Sequence, residues 1–189
     1  MALQSSGQIS LNDLHVEAGG STGTQASMND TDIRGLVSAA ANSQMTFSSF
    51  YGASSSLYSA TMTVGSHVVP GDYGSTNYGF NDSSESGLFV NTDFGSLTSR
   101  DASGFSNSGA TIEGLFHTTA GLGIRFIISD NTALSNSGWS TLKIGSSTLS
   151  RTSATFTQGS GGQGSKGTWT WNTATNLFGT SGTKSITIV

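Results

Sequence analysis

GIRFIIS, residues 123–129, puts Ile124, Phe126 and Ile128 on one side of an extended chain, with Arg125 and Ile127 opposite. Successive side chains of a strand point to opposite faces, so this spacing is that of a β-strand. The same period of two recurs on both sides of it. Ala60, Met62 and Val64 share a face in ATMTV, and Leu142 and Ile144 share one in TLKIG, where GSS leads into a return strand through Leu149. Trp169 and Trp171 form another such pair, as do Ile186 and Ile188. Turn-rich clusters separate these runs: GDYGSTN, NDSSESG, SNSG and QGSGGQGSKG. Short alternating strands with turn signals between them predict a mainly β fold, an antiparallel β-sandwich of the jelly-roll or Ig-like kind, over residues 54–189.

Composition agrees with a folded, β-rich chain. Of the 189 residues 34% are hydrophobic, enough to bury a core, although Gly, Ser, Thr and Asn are abundant and Pro70 is the sole proline. Only 10% are charged, well below an average soluble domain, and the net charge is −4. Seven Lys and Arg spread along the chain form no basic patch, which argues against nucleic acid as a partner. With no cysteine, disulfides and thiolate metal sites are excluded. The start MALQSSGQIS lacks the basic and apolar regions of a signal peptide, and no apolar run is long enough for a bilayer. Synthesis in a cytoplasm without membrane insertion is therefore expected.

Residues 1–53 follow a different rule. One phrase occurs three times: Gln8-Ile9-Ser10-Leu11, Gln25-Ala26-Ser27-Met28 and Gln44-Met45-Thr46-Phe47. In the first copy Ser10 suits a helix N-cap, with Asp13 in the first turn, Ile9 and Leu14 placed as a hydrophobic staple, and Gly19 and Gly20 ending the turn. In the second, Ser27 would cap and Asp30 follow. Its staple pair Ala26 and Thr31 is weak, and it runs on through Ile33, Leu36, Val37 and Ala40 at helical spacing. In the third, Thr46 would cap, Met45 and Phe50 would pair, and Gly52 would close the turn. Three short helical turns with one or two apolar anchors each bury little, and short isolated helices are marginal in water. The segment is expected to dock, with Ile9, Leu11, Leu14, Met28, Ile33, Leu36, Met45, Phe47, Phe50 and Tyr51 as candidate contacts.

Chemistry-bearing motifs are sparse. His15, His67 and His117 are far apart, and NDTD (29–32) and NDSSES (81–86) do not match a calcium loop. No G-x-S-x-G elbow, dinucleotide fingerprint or P-loop is present, and the glycines before Lys166 read as a hairpin loop. Glu17, Glu85 and Glu113 come without the context of a glycosidase pair. Neither an enzyme nor a cofactor is expected. The aromatics admit two readings. Trp139, Trp169 and Trp171 with Tyr73, Tyr78 and Phe80 could form a sugar-stacking platform, or Trp169 and Trp171 could join Phe126 and Phe156 in the core. Same-face spacing favours the core. The loop GDYGSTNYGFND (71–82) is then the candidate exposed recognition surface, through Tyr73 and Tyr78.

SGQISLNDLHVEAGG (6–20), followed by SMNDTDIRGL (27–36) and MTFSSFYGAS (45–54), resembles the N-terminal module of tailed-bacteriophage virion proteins, notably of marine and cyanobacterial phages. Such proteins, tail-fibre or other structural components of the particle, begin with G-x-I-S-L-x-D and G-G and close the module with S-x-F-Y-G. GSLTSRDASGF, GLGIRFIIS, GWSTLKIGSSTLSRTSATFT, TWTWNTATNLFGTSG and SITIV are similar to a β-sandwich module of phage appendages and bacterial surface proteins, from which this chain departs in its long Gly-rich loop before Trp169. The resemblance implies a virion component, a tail fibre or tail-associated appendage. Residues 1–53 would hold it to other virion proteins, and the β domain would face outward for host attachment, with a host-surface glycan or receptor as a further partner. It implies a homo-oligomer, trimers being common among fibres. Two other roles fit the same features: a capsid decoration, cement or neck protein and, from a different class, a glycan-binding receptor-recognition module. A polar, weakly charged surface suits a particle exposed to varying salt, having few charges to screen, and a weakly self-sufficient segment suits ordering on a partner.

Overall fold

The computed structural model of the chain describes residues 3–37, 39–40, 42–51, 53, 55–69, 75–82, 92–119, 123–159 and 165–189. Two compact units emerge, Met1–Ser56 and Leu57–Val189. The boundary falls three residues beyond the expected one at residue 53, and the Leu57 N–H already bonds to the Ile188 carbonyl at 2.8 Å.

The second unit is a β-sandwich. Its strands are β1 Tyr58–Thr63, β2 Gly65–Val68, β3 Thr76–Asn81, β4 Ser96–Leu97, β5 Thr111–Thr118, β6 Gly123–Asp130, β7 Thr141–Ile144, β8 Ser147–Ser150, β9 Thr155–Gly159, β10 Ser165–Trp171 and β11 Thr183–Ile188. A five-stranded sheet runs in the order β4-β1-β11-β7-β8 and a six-stranded sheet in the order β2-β3-β5-β6-β10-β9, every pairing antiparallel. β11, last in sequence, lies mid-sheet between β1 and β7.

The alternating positions face inward as their spacing predicts. Met62, Leu142, Ile144, Ile186 and Ile188 from one sheet share a core with Ile112, Leu115, Ile124, Phe126, Ile128, Trp169 and Trp171 from the other. Strand register sets Trp169 opposite Phe126 and Trp171 opposite Ile124. Each fully buried aliphatic or aromatic side chain stabilises the fold by about 1.5–3 kcal/mol, so this cluster supplies most of the driving force. At its edge Tyr58 is buried, its hydroxyl donating to the Ser99 carbonyl at 2.5 Å, and burial pushes its pKa up to about 12.

β6 departs from the simple alternation. Its second face is covered too: Ile127 is fully buried with Phe94 and Phe116 in a separate cluster, and Arg125 is only 7% exposed. Strands buried on both faces read as nearly continuous apolar runs, which accounts for FII within GIRFIIS. A bulge between Ile112 and Gly114 re-aims Glu113. Its carboxylate accepts from Arg100 Nη2 at 2.8 Å and from Ser129 Oγ at 2.5 Å, while Arg100 also pairs with Asp82 and donates from Nε to the Ile112 carbonyl at 2.9 Å. Glu113 is 1% exposed and thus satisfied as a buried charge must be.

Candidate docking surface

The first unit explains the threefold phrase. Ser10 caps α1 (Leu11–Glu17) with a reciprocal box: the Asp13 N–H donates to Ser10 Oγ at 3.2 Å and the Ser10 N–H donates to Asp13 Oδ2 at 2.8 Å. These bonds from the Ser10 side chain, then its backbone, hold the Asp13 carboxyl below its ordinary value. In the second copy the Ser27 N–H likewise donates to Asp30 Oδ2 at 2.8 Å, but Ser27 is not the cap. Ser27 to Asp30 closes a turn, with the Asp30 N–H on the Ser27 carbonyl, and α2 (Thr31–Gly35) starts from Asp30. The helix stops at Gly35, so the spacing through Leu36, Val37 and Ala40 does not continue as helix. In the third copy Thr46 precedes a 3-10 turn, Phe47–Phe50, without capping a backbone N–H; its hydroxyl meets those of Ser48 and Ser49. Gly52 lies outside the described residues.

Each copy gives one fully buried side chain to a shared core: Leu14, Ile33 and Phe50, joined by Leu3. Ile33 sits two residues later than the other phrases imply because exposed Thr31 takes the matching position. Ile9, Leu11, Met28, Leu36 and Met45 are half-buried against this cluster. Polar clips hold the linkers. Buried Arg34 donates from Nη2 to the Ala40 carbonyl and, at 3.1 and 2.8 Å, to the Ser43 carbonyl and hydroxyl. His15 Nε2 meets Thr24 Oγ1 at 2.7 Å, and Leu3 N–H donates to the Ala53 carbonyl at 2.8 Å.

This burial sorts the ten predicted contacts. Leu14, Ile33 and Phe50 face the unit's own interior, and a partner could reach them only by opening it. Phe47 and Tyr51 stay outside at 41% and 39% exposure. Val16, 43% exposed, joins them although it is not among the ten. Leu11, Leu14 and Ala18 define the inward face of α1 by their spacing, and Val16 lies off that face, a signal available on a helical wheel. Beside α1 a groove of 340 Å³ is lined by Leu3, Gln4, Ile9, Asn12, Asp13, Val16, Glu17 and Thr22. It joins an apolar wall to carboxylates one helical turn apart at Asp13 and Glu17, the latter also accepting from the Ser55 N–H at 3.1 Å.

The other candidates resolve differently. Tyr73 lies outside the described residues. Tyr78 is not in an exposed loop: it lies in β3, half-buried against the core, because Y-G-F continues a strand with Gly79 between two inward aromatics. Gly79 has φ +140°, and a Cβ there would meet the Leu115 carbonyl oxygen at 2.3 Å. All three tryptophans are buried, Trp169 packing at 4.8 Å on Phe156 and 5.5 Å on Trp139 between ring centroids. The Trp169 indole N–H donates to Asn136 Oδ1 and that of Trp171 to the Ser150 carbonyl. They form core, not a sugar platform. His15 lies in the first unit, His67 stacks on Phe94, and buried His117 has Nε2 at 3.3 Å from the Thr173 carbonyl oxygen. Among the described residues no group of three His, Asp or Glu is placed to hold a metal, and no helix is long and apolar enough to cross a membrane. Glu85 lies outside the described residues. Comparison with known protein families, curated proteins and solved structures found no match.

Proposed function

We propose that the protein is a structural component of a tailed-phage particle, a tail fibre or tail-associated appendage held by its first unit, with the sandwich offered to the host surface. One observation carries this reading: the N-terminal phrases build a separate small body, its core among the described residues built on three fully buried side chains and Leu3, that leaves Val16, Phe47 and Tyr51 exposed and a mixed apolar and acidic groove beside α1. A body that keeps large apolar side chains outside so small a core gains from being covered by a partner. The sandwich supports the same reading by its content, since among the described residues its buried aromatics serve packing and the buried Glu113 carboxylate is paired internally.

The test uses the full chain carrying Val16→Asp and Phe47→Asp together, expressed during infection by the phage that encodes it. Exposed positions tolerate the charges, so the protein should fold, yet its abundance on purified particles, read by quantitative mass spectrometry, should fall at least tenfold. Normal incorporation would overturn the docking role. A copy number in the hundreds per wild-type particle would replace the appendage with a capsid decoration protein.

A further inference from the structure

The strands that carry charge and the strands that form edges do not overlap. Glu113, Arg125, Asp130, Lys143, Lys166 and Lys184 lie on β5, β6, β7, β10 and β11, each flanked by a neighbour on both sides. The strands that form the sheet edges among the described residues, β2, β4, β8 and β9, hold no Asp, Glu, Lys or Arg. Monomeric sheet proteins do the reverse, placing charge, proline or bulges on their edges to block pairing.

The two flanks of the sandwich differ. On the flank of β2 and β4, residues 94–98 are tied down: Phe94 exchanges backbone bonds with Asn81, and the Thr98 N–H donates to the Thr61 carbonyl at 3.0 Å. The opposite flank is formed by β8 and β9, consecutive in the chain and ending one sheet each. Residues 145–159 contain one charge, Arg151, and it is turned inward, donating from Nε to the Trp139 carbonyl and from Nη1 to Asn136. β9 is the longest edge strand. Thr155, Thr157 and Gln158 are exposed while Phe156 packs against the core, and among the described residues no backbone hydrogen bond reaches Thr155–Gly159 from outside its pairing with β10.

We propose that β9 pairs antiparallel with β9 of a second copy of this chain, about a two-fold axis through Thr157, joining two six-stranded sheets into one. The sequence TFTQG is self-complementary in that register. Thr157 faces Thr157, Thr155 faces Gly159, and Phe156 faces Gln158, which keeps the inward and outward faces of both sheets aligned and sets like hydroxyl-bearing side chains in a favourable cross-strand pair. An isologous contact of this kind closes on itself and gives a dimer rather than a filament. The inference uses the sandwich alone and is independent of the docking role proposed for the first unit.

Sedimentation velocity of the full chain, from micromolar to several hundred micromolar, should show a monomer–dimer equilibrium. Thr157→Lys and Thr157→Glu each set like charges against each other at the axis and should weaken dimerisation at least tenfold. An equimolar mixture of the two variants should recover it as a heterodimer. Tryptophan fluorescence, which reports on the sandwich core, should match wild type in both. A wild-type chain that stays monomeric or forms trimers, variants that dimerise like wild type, or a mixture that fails to recover would each overturn the proposal.

Discussion

Leu14→Ala tests whether the first unit is a body with its own core. Leu14 is 0% exposed and is one of four apolar side chains buried there among the described residues. Truncating a buried leucine costs about 2–5 kcal/mol, the upper end applying where neighbours cannot close the cavity. A globular unit of 56 residues has about 3–8 kcal/mol in total at ordinary stability per residue, so this one change should remove about a quarter of it or more. All three tryptophans lie in the second unit, whose core is separate. Hydrogen exchange read by mass spectrometry should therefore show amides of α1 exchanging about 30-fold to about 4,000-fold faster. The urea midpoint read by tryptophan fluorescence should stay where it was. Unchanged protection of α1 would mean that Leu14 is not part of a cooperative core. An equal loss in the tryptophan transition would mean that the units do not melt separately.

Glu113→Ala leaves Arg100 with Asp82 as its remaining carboxylate and opens a hole beside Ser129; the sandwich should lose about 3 kcal/mol, read as a lower urea midpoint, and a loss below about 1 kcal/mol would show that solvent reaching half-exposed Arg100 compensates. His117 gives a pH dependence whose sign follows from its surroundings. Burial lowers its pKa, partly offset by the bond to the Thr173 carbonyl, so the unfolded chain takes up the proton first. The stability it confers is complete above the unfolded value of about 6.5 and is lost as pH falls through the folded one. Wild type should lose more stability than His117→Gln between pH 7.5 and pH 5 in matched urea titrations, and equal losses would assign the dependence to another group.

Local rules are legible in the residues. The period of two places Met62, Phe126, Leu142, Trp169 and Ile186 in one core, and the Ser10–Asp13 spacing marks a cap that forms, because both depend on geometry within a few residues. What stays hidden depends on partners far along the chain. Arg125 and Ile127 read only as the face opposite Phe126, since nothing local tells that a strand is covered on both faces. Tyr78 reads as a loop residue because glycines and asparagines around it signal turns, whereas pairing with β5 decides its state. In the first unit the anchors are visible in the sequence, but not that three of them meet: Leu14, Ile33 and Phe50 are brought together by linkers whose paths are set by Arg34 and His15, which carry no periodic signal.

The central position of β11 bears on how the molecule is made. β1, near the start of the sandwich, pairs along its length with β11 near the end, from Tyr58 with Ile188 to Thr63 with Thr183, and β7 pairs with the other side of the same strand. During synthesis the first unit can close as soon as it emerges. The five-stranded sheet must wait, with both β1 and β7 lacking a neighbour, until residues 183–188 have left the ribosome. Loop closure over so long a span makes this step slow. For that interval the nascent chain holds an open slot one strand wide, the opening at which a chaperone or a neighbouring nascent copy would act.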